Sequence, residues 1–466
     1  MSELCYLGAR KLAALLRQRS VSAVEVTAAH LDQVARLNPS LNAIVTITPA
    51  QALERAMKLD RLAGCGEFQG PLHGLPVAHK DLFDTRGVRT TYGSLIYEHY
   101  TPEADALVVE RMEAAGAISL GKTNTPEFGA GSQTFNEIFG ATRNPHDPSK
   151  TCGGSSGGSA VALAGGMVAL ANGSDLGGSL RNPASFCGVV GMRPAAGRVP
   201  KWPSSAGWFS LDVDGPMARS VDDLALLLSV IAGPDKRSPI ALTESGDIFA
   251  ASLPSDLKGV RVAWFQELAG MPFEPEVRKI VDSQRKTFEA IGCVVESAEP
   301  DFLHADESFR TLRAWYSALN HSGRMAQYPG MLKATLAREV EQGMSLGGAE
   351  IARAEKLRTE LYHRMRAFFD RYDAFVLPTV QVLPFPVEQP YVNEINGVAL
   401  ESYIDWMRSC YFISATGHPA ISVPAGYSED GLPVGLQIVG RHQGERRLLE
   451  IAYGYEQAAG VAQRRF

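Results

Sequence analysis

Apolar residues in the first sixty positions recur at the three-to-four residue spacing of amphipathic helices. Ser22 and Glu25 form a Ser-x-x-Glu capping pattern just before Val26, which predicts a helix start. A second helical pattern covers residues 49–62 and ends at Gly64. Residues 71–80 then predict a turn and a short buried strand with Lys80 at its end.

Short apolar runs alternate with helical patterns through the middle of the chain. Residues 117–120 predict a strand after an amphipathic helix that Asp105 is expected to cap. Residues 159–167 predict a helix with a strand at 168–171, and residues 260–265 predict a strand before a helix near 274–291. This alternation predicts an α/β fold around a central sheet.

Residues 235–370 differ from the rest because they carry long charged helical patterns and less glycine. No Gly-, Ser- or Pro-rich linker separates them from their neighbours, and no repeat of solenoid period occurs. We therefore predict one domain over residues 1–466, in which 235–370 form a helical elaboration packed on the sheet and not an independent domain.

Composition narrows the class of protein. Hydrophobic residues make up 45% and charged residues 21% of the chain, which excludes a disordered or collagen-like protein. Lys and Arg number 45 against 51 Asp and Glu, without a run of like charges. A basic face for binding nucleic acid is therefore not expected.

Cysteine usage and hydropathy bear on the compartment. The six cysteines are scattered without a Cys-x-x-Cys pair, as is typical of a reducing compartment. The N-terminus lacks a signal-peptide pattern, and the longest apolar run, residues 160–171, is shorter than the roughly 20 residues of a membrane-spanning helix. The expectation is a soluble, cytoplasmic protein without a membrane partner.

Glycine and serine are concentrated in two segments around the 159–167 helix. Residues 153–159 are Gly-Gly-Ser-Ser-Gly-Gly-Ser, and residues 173–179 are Gly-Ser-Asp-Leu-Gly-Gly-Ser. Glycine permits backbone conformations in which successive N–H groups converge, and such nests bind anions. The anion is a phosphate or the oxyanion of a tetrahedral intermediate. Tight turns around a closely packed helix are the purely structural alternative.

Two familiar motifs match less well than their letters suggest. Residues 116–123 fit the P-loop pattern Gly-x4-Gly-Lys-Thr, but their middle residues predict a strand instead of a flexible cradle. Ser156 lies in a Gly-x-Ser-x-Gly elbow, which needs a downstream acid and histidine. The downstream His418 and His442 lack a convincing setting. A serine hydrolase that uses a lysine base is the third interpretation.

The glycine-serine segments identify a family. Residues 71–86, 121–145 and 152–193 closely resemble the amidase signature family, serine hydrolases that cleave carboxylic amides. The likeness extends to Gly-His-Pro-Ala-Ile-Ser-Val-Pro at 417–424 and to residues 431–440. The resemblance implies an α/β/α sandwich with a large mixed central β-sheet covered by helices. It also implies a Ser-cisSer-Lys triad.

Residue by residue, the resemblance makes Ser179 the nucleophile, Ser155 the bridging serine with a cis peptide bond, and Lys80 the base. A buried lysine loses its charge more easily, and only a neutral amine accepts a proton. The oxyanion hole would be the backbone of Leu176, Gly177, Gly178 and Ser179, and the segment with Gly129 and Ser132 matches one that lines the acyl pocket.

Several nearby residues have plainer interpretations. Lys122 is a rival base whose polar neighbours favour a structural turn contact, and His79 is expected to face away from Lys80. Asp175 and Arg181 are expected to pair and hold the loop at the nucleophile. Trp202, Trp208 and Trp315 fit either a pocket wall or the core.

The sequence therefore predicts an amidase that hydrolyses a small-molecule carboxylic amide to the acid plus ammonia or amine. No metal or organic cofactor is expected, because the chemistry needs none and the histidines form no ligand motif. One alternative is the glutamine-hydrolysing component of a glutamine-dependent tRNA amidotransferase (its A component), from whose pattern residues 198–203 and 212–216 depart. The other is an esterase that uses Ser156. Relatives often dimerise, so a homodimer is compatible with this interpretation.

Overall fold

A computed structural model describes residues 3–254 and 256–466. Its centre is a mixed sheet of eleven strands within those residues, and two short hairpins lie outside the sheet. The sheet strands are β1 Ile44–Ile47, β2 Pro76–Lys80, β3 Ile118–Thr123, β6 Leu170–Asp175, β7 Val190–Arg193, β8 Val213–Ala218, β9 Arg261–Trp264, β10 Val294–Ser297, β11 Ala374–Pro378, β14 Ala420–Tyr427 and β15 Pro433–Val439. The hairpins pair β4 Phe135–Asn136 with β5 Gly140–Ala141, and β12 Glu394–Ile395 with β13 Val398–Ala399.

Helices flank this sheet, which confirms the predicted α/β fold with a large mixed central sheet. Within the described residues they are α1 Ala9–Arg17, α2 Ala23–Leu41, α3 Pro49–Gly64, α4 Leu107–Ala114, α5 Gly157–Ala164, α6 Arg181–Cys187, α7 Val221–Ile231, α8 Pro275–Ser283, α9 Arg285–Ala290, α10 Ala305–Gln327, α11 Ala334–Ser345, α12 Gly348–Phe369, α13 Arg408–Thr416 and α14 Glu445–Ala459. None of the described helices combines the length and apolar character needed to cross a bilayer.

The strand order is β1-β3-β2-β6-β8-β7-β14-β15-β11-β9-β10. Strands β3, β2 and β6 run parallel to one another, and β8 is antiparallel to β6. Carboxyl ends of parallel strands meet at one edge of a sheet, and ligands usually bind there. The end of β2 and the end of β6 are therefore brought side by side.

Several local predictions are confirmed and one is wrong. Ser22 and Glu25 form the predicted capping box of α2. The predicted cap of α4 fails, because the N-cap position is Ala106 and the Asp105 carboxylate instead accepts a hydrogen bond from the Arg86 amide. The helix expected near 274–291 is divided at Gln284 into α8 and α9.

The described part of residues 235–370 contains helices α8 to α12, but it is not purely helical. Strands β9 and β10 also belong to it, and β9 pairs with β11, which lies outside it. The region is therefore joined to the main sheet by hydrogen-bonded strands. Helices α10 and α11 supply the wall of a cavity over the carboxyl end of β2.

Close packing explains the small residues of α5. A Cβ atom on Gly158 would lie 2.3 Å from the Asn124 amide nitrogen, and one on Gly157 would lie 2.3 Å from the Thr134 hydroxyl. Both contacts are far shorter than real Cβ contacts. Glycine is therefore required for α5 to approach its neighbours, and this approach fixes the Ser155 segment directly before the helix.

Candidate active site

The base predicted by the sequence lies at the end of β2. Parallel pairing with β6 places Ala78 opposite Ala171, and the Lys80 amide donates to the Asn172 side chain over 3.1 Å. The Lys80 side chain is fully buried, and its Nζ lies 3.0 Å from the Ser174 Oγ. The pairing of β2 with β6 therefore places the Lys80 amine at the edge of the sheet.

Ser155 completes the contact with this amine. Its Oγ lies 2.7 Å from the Lys80 Nζ, and the Gly154–Ser155 peptide bond is cis, as the family resemblance implied. The preceding Gly153 has φ of +74°, a conformation that favours glycine. The turn into α5 thus presents the hydroxyl to the lysine.

Ser179 follows the end of β6 in the second glycine-serine segment. Its carbonyl accepts a hydrogen bond of 3.2 Å from the Ser156 amide, which ties the two segments together. Ser155 and Ser179 line the same cavity. The structure therefore brings together the three residues that the sequence singled out for the triad.

Asp175 organises the turn that carries Ser179. Its carboxylate accepts hydrogen bonds from the Gly178 amide at 2.8 Å and the Leu180 amide at 3.1 Å, and it forms an ion pair of 2.9 Å with Arg181. Burial alone would raise the pKa of Asp175, but the guanidinium groups of Arg181 and Arg193 outweigh burial and hold it well below its usual value. The predicted pair of Asp175 and Arg181 is confirmed.

The hydrogen bonds of Asp175 reduce the number of donors available in the predicted oxyanion hole. The Gly178 amide is occupied by Asp175, so it is not free to stabilise an oxyanion. The amides of Leu176, Gly177 and Ser179 donate to no other atom of residues 3–254 and 256–466. Three of the four predicted donors are thus left with free N–H groups at the cavity.

Burial changes the acid–base behaviour of the lysine. Desolvation lowers the pKa of Lys80 to about 7, against the opposing attraction of Asp212, Asp175 and Asp214. Near neutral pH a large fraction of Lys80 is therefore uncharged, and a neutral amine is able to accept a proton. The location and the proton affinity of the side chain both suit a general base.

The cavity above the two serines has a volume of about 310 Å³. Gly129, Ser132, Leu176 and Trp202 line it. The other two candidate tryptophans lie elsewhere, since Trp208 is mostly exposed and Trp315 packs on Phe209. The side chains that form one aromatic wall are Tyr92, Phe128 and His321. The space accommodates a small organic molecule.

A cluster of charged and polar side chains that line the cavity was not identified from the sequence. Lys201 contacts Asp212, which also accepts a 2.9 Å hydrogen bond from the Tyr316 hydroxyl, and Asp214 lies 3.5 Å from the same ammonium. Part of the signal was present in the sequence, because Asp214 lies on β8 and Asp212 directly precedes that strand, and alternate positions of an extended segment share one face. Lys201 and Tyr316 come from distant segments, which no local pattern reveals.

The rival motifs have other roles in the structure. Lys122 lies within strand β3, so the P-loop match is a strand, and its amine binds the hydroxyls of Thr85 and Thr90 at 3.0 and 2.9 Å. His79 pairs with Asn172 over 3.2 Å. The buried Ser156 hydroxyl contacts the Ser174 carbonyl over 3.4 Å.

Neither histidine of the elbow alternative reaches Ser156 in the described chain. His418 stacks on Phe369 and contacts Thr416, and His442 packs against Tyr362. In the same residues, no three His, Cys, Asp or Glu side chains are grouped as metal ligands.

Comparison with known proteins gives one consistent result. A family model described as amidase matches residues 25–449. The chain is 36% identical to the A component of the glutamyl-tRNA(Gln) amidotransferase of Thermosynechococcus vestitus, over 95% of this chain and 96% of that protein. It is 34% identical to an acylamidase of Rhodococcus erythropolis, over 97% and 95% of the two chains.

The fold agrees with these sequence matches. The structure of a bacterial aryl acylamidase of the amidase signature family superposes with a TM-score of 0.91 at 27% identity, covering 98% of this chain and 97% of that one. The family model and the relatives span nearly the whole length of the chain. The chain belongs to the amidase signature family.

Proposed function

We propose that this protein hydrolyses a small-molecule carboxylic amide through an acyl-enzyme on Ser179. The observation that carries the proposal is the buried Lys80 amine, 2.7 Å from the Ser155 hydroxyl at the base of a cavity that Ser179 also lines. A serine hydroxyl is a weak nucleophile until a base removes its proton. Lys80, with its lowered pKa, is suited to be the terminal proton acceptor.

In the first step, the Ser179 oxygen attacks the amide carbon while its proton passes to Ser155 and the Ser155 proton passes to Lys80. The tetrahedral oxyanion forms next to the N–H groups of Leu176, Gly177 and Ser179. Removal of one oxyanion-hole donor from a serine hydrolase costs about 2.7–4 kcal/mol of barrier. Gly178 contributes indirectly, because its bond to Asp175 holds the turn in shape.

In the second step, the C–N bond breaks and the leaving amine takes the proton back from Lys80 through Ser155. Water then enters the same position, gives its proton to the relay and attacks the acyl carbon. Ser179 leaves with a proton returned from Lys80, which restores the free enzyme. These steps use no metal and no organic cofactor. The location of the protein in the cytoplasm stays a prediction.

The relative from Thermosynechococcus vestitus supports a second candidate, in which the chain releases ammonia from glutamine as one component of an amidotransferase. The acylamidase relative and the aryl acylamidase structure favour the stand-alone hydrolase. The esterase alternative is disfavoured because Ser156 lies away from the cavity wall and bonds to a carbonyl. The two remaining candidates differ in substrate and in dependence on a partner.

The experiment is ammonia release from aliphatic and aromatic primary amides and from glutamine, with wild type and Ser179→Ala. The proposal predicts turnover of simple amides by the chain alone and a loss of at least about 10⁴-fold in the variant. Turnover confined to glutamine would favour the amidotransferase component. An active Ser179→Ala variant would show that another residue is the nucleophile.

A further inference from the structure

Asp214 lies beside the reaction centre but has no role in the proton relay. In the antiparallel pair of β6 and β8 it is directly opposite Ser174, the serine whose hydroxyl contacts the Lys80 amine. Side chains of opposed residues project from the same face of a sheet. Its side chain is 4% exposed, and Asp214 is one of the residues that line the cavity.

The carboxylate of Asp214 is short of hydrogen-bond donors. Its Oδ1 is buried and accepts no hydrogen bond from residues 3–254 and 256–466. The Lys201 ammonium lies 3.5 Å away and makes its close contact with Asp212, which also binds the Tyr316 hydroxyl. Two carboxylates thus share one ammonium, and a buried acceptor that lacks a hydrogen-bond donor is energetically unfavourable.

The other charged groups of the cavity are already paired. Arg313 binds Glu339 over 2.7 Å, and Asp84 accepts a hydrogen bond from Tyr92. Arg324 is held by the Tyr97 hydroxyl at 3.1 Å and by a main-chain carbonyl. The group of Lys201, Asp212 and Asp214 carries one excess negative charge when all three side chains are ionised, and Lys80 is a further cation that acts on Asp214.

Ionisation of Asp214 agrees with this geometry. Burial raises its pKa to about 6, and the neighbouring Asp212 adds to the rise while Lys201 opposes it. Above pH 7 the group is therefore mostly a carboxylate. A buried carboxylate that keeps its charge is stabilised strongly by a cationic donor.

We propose that Asp214 is a substrate-binding residue that accepts a hydrogen bond from a protonated amino group, so that the preferred substrates are aminoacyl amides. The inference rests on the proposed amide hydrolysis. In a primary amide the leaving group is ammonia, so the acyl chain carries the amino group. The substrate ammonium would donate the hydrogen bond that Asp214 does not receive from the described residues.

Binding of a cation at Asp214 would also favour the neutral form of Lys80 that the proton relay requires. Ser174 connects the two sites, since its hydroxyl contacts the Lys80 amine and its backbone position faces Asp214. A substrate ammonium there disfavours a second positive charge on Lys80. Occupation of the site therefore favours the neutral lysine that the reaction needs.

The test compares primary amides of the form H₃N⁺–(CH₂)n–CONH₂, with n from one to five, with isosteres that end in methyl. At pH 8 the wild type is expected to prefer at least one amino amide by about tenfold or more in kcat/KM, as a charge-assisted hydrogen bond provides. Asp214→Asn is expected to remove that preference and to change turnover of the methyl isosteres far less. Asp84→Asn is the matched control, because it removes another cavity carboxylate and should keep the preference.

Binding to Ser179→Ala, measured by calorimetry, gives a readout that needs neither turnover nor a folded Asp214 variant. Tighter binding of an amino amide than of its methyl isostere supports the inference, and equal binding overturns it. Retention of the kcat/KM preference in a folded Asp214→Asn variant also overturns it. If the wild type hydrolyses the methyl isosteres and shows no preference for amino amides, the inference is refuted while the proposed function is not. Wild type inactive on every amide refutes the proposed function, and the calorimetric comparison still tests the inference, because equal binding of the amino amide and its methyl isostere would overturn it.

Discussion

Lys80 and Lys122 lie on the neighbouring parallel strands β2 and β3, and both side chains are completely buried. Desolvation is the largest influence on both, and it lowers the pKa of Lys80 to about 7 and that of Lys122 to about 8. Their surroundings differ. The Lys80 amine contacts two serine hydroxyls at a cavity, whereas the Lys122 amine is enclosed by the loop that follows β2.

The two lysines differ in whether a carboxylate lies close to the amine. Lys122 lies 3.9 Å from the carboxylate of Asp81, which is itself buried and bound to Thr91. Lys80 has no carboxylate at contact distance among the described residues, and its charge is balanced only by more distant aspartates. Burial and a lowered pKa are thus common to a structural lysine and a candidate base. Contact with a hydroxyl at the cavity distinguishes the base.

Within the comparison of the two lysines, the largest expected effect is the loss of activity in a Lys80 variant. Lys80→Met removes the proton acceptor, so kcat/KM should fall by about 10²–10⁴-fold, the range contributed by general bases. The free energy of unfolding should not decrease much, because an apolar side chain replaces a buried amine. Amide turnover and thermal melting measure the two quantities. Full activity in the folded variant would remove Lys80 from the mechanism.

The same substitution at Lys122 should act on stability instead. Lys122→Met leaves the Asp81 carboxylate buried without its cation, which typically costs about 3–5 kcal/mol of unfolding free energy. Folded protein should retain most of its kcat. Urea denaturation and active-site-normalised turnover test this. A stable but inactive Lys122 variant would reverse the roles of the two lysines.

The pH profile sharpens the comparison. Because the neutral form of Lys80 is the base, kcat/KM should be low below pH 7 and rise to a plateau above it, with an apparent pKa of about 7. Protonation at lower pH removes the base. Lys122→Met should leave the midpoint unchanged. A shift of the midpoint in the Lys122 variant would show that Lys122, and not Lys80, determines the pH dependence of kcat/KM.

The smallest expected effect concerns Ser174. Ser174→Ala removes one neutral contact of the Lys80 amine and should lower kcat/KM by about 2- to 10-fold, as befits a hydrogen bond worth roughly 0.5–1.5 kcal/mol. Ser155→Ala, in contrast, interrupts the proposed relay. Steady-state kinetics of the two variants show whether the contact of Lys80 with Ser155 or that with Ser174 contributes more to kcat/KM. Equal losses in both would argue against a specific relay through Ser155.

The candidate triad was assigned from the resemblance to the amidase signature family, and that resemblance could be recognised because the motifs that carry it are local. Glycines next to serines mark tight backbone turns, and a lysine after a buried strand marks a sheet edge. The role of Asp105 was mispredicted because the Arg86 amide, which is distant in sequence, takes its carboxylate. The cluster of Lys201 and Asp214 is likewise tertiary, since a loop and a strand bring its members together.

The central claim is that Ser179 carries the acyl group. Its most direct test is intact-protein and peptide mass spectrometry of the enzyme, acid-quenched during turnover of an amide that the wild type hydrolyses. We predict a mass increase equal to the acyl group on the peptide that contains Ser179, and none in Ser179→Ala. An acyl group on Ser156, or an adduct that persists in Ser179→Ala, would contradict the claim.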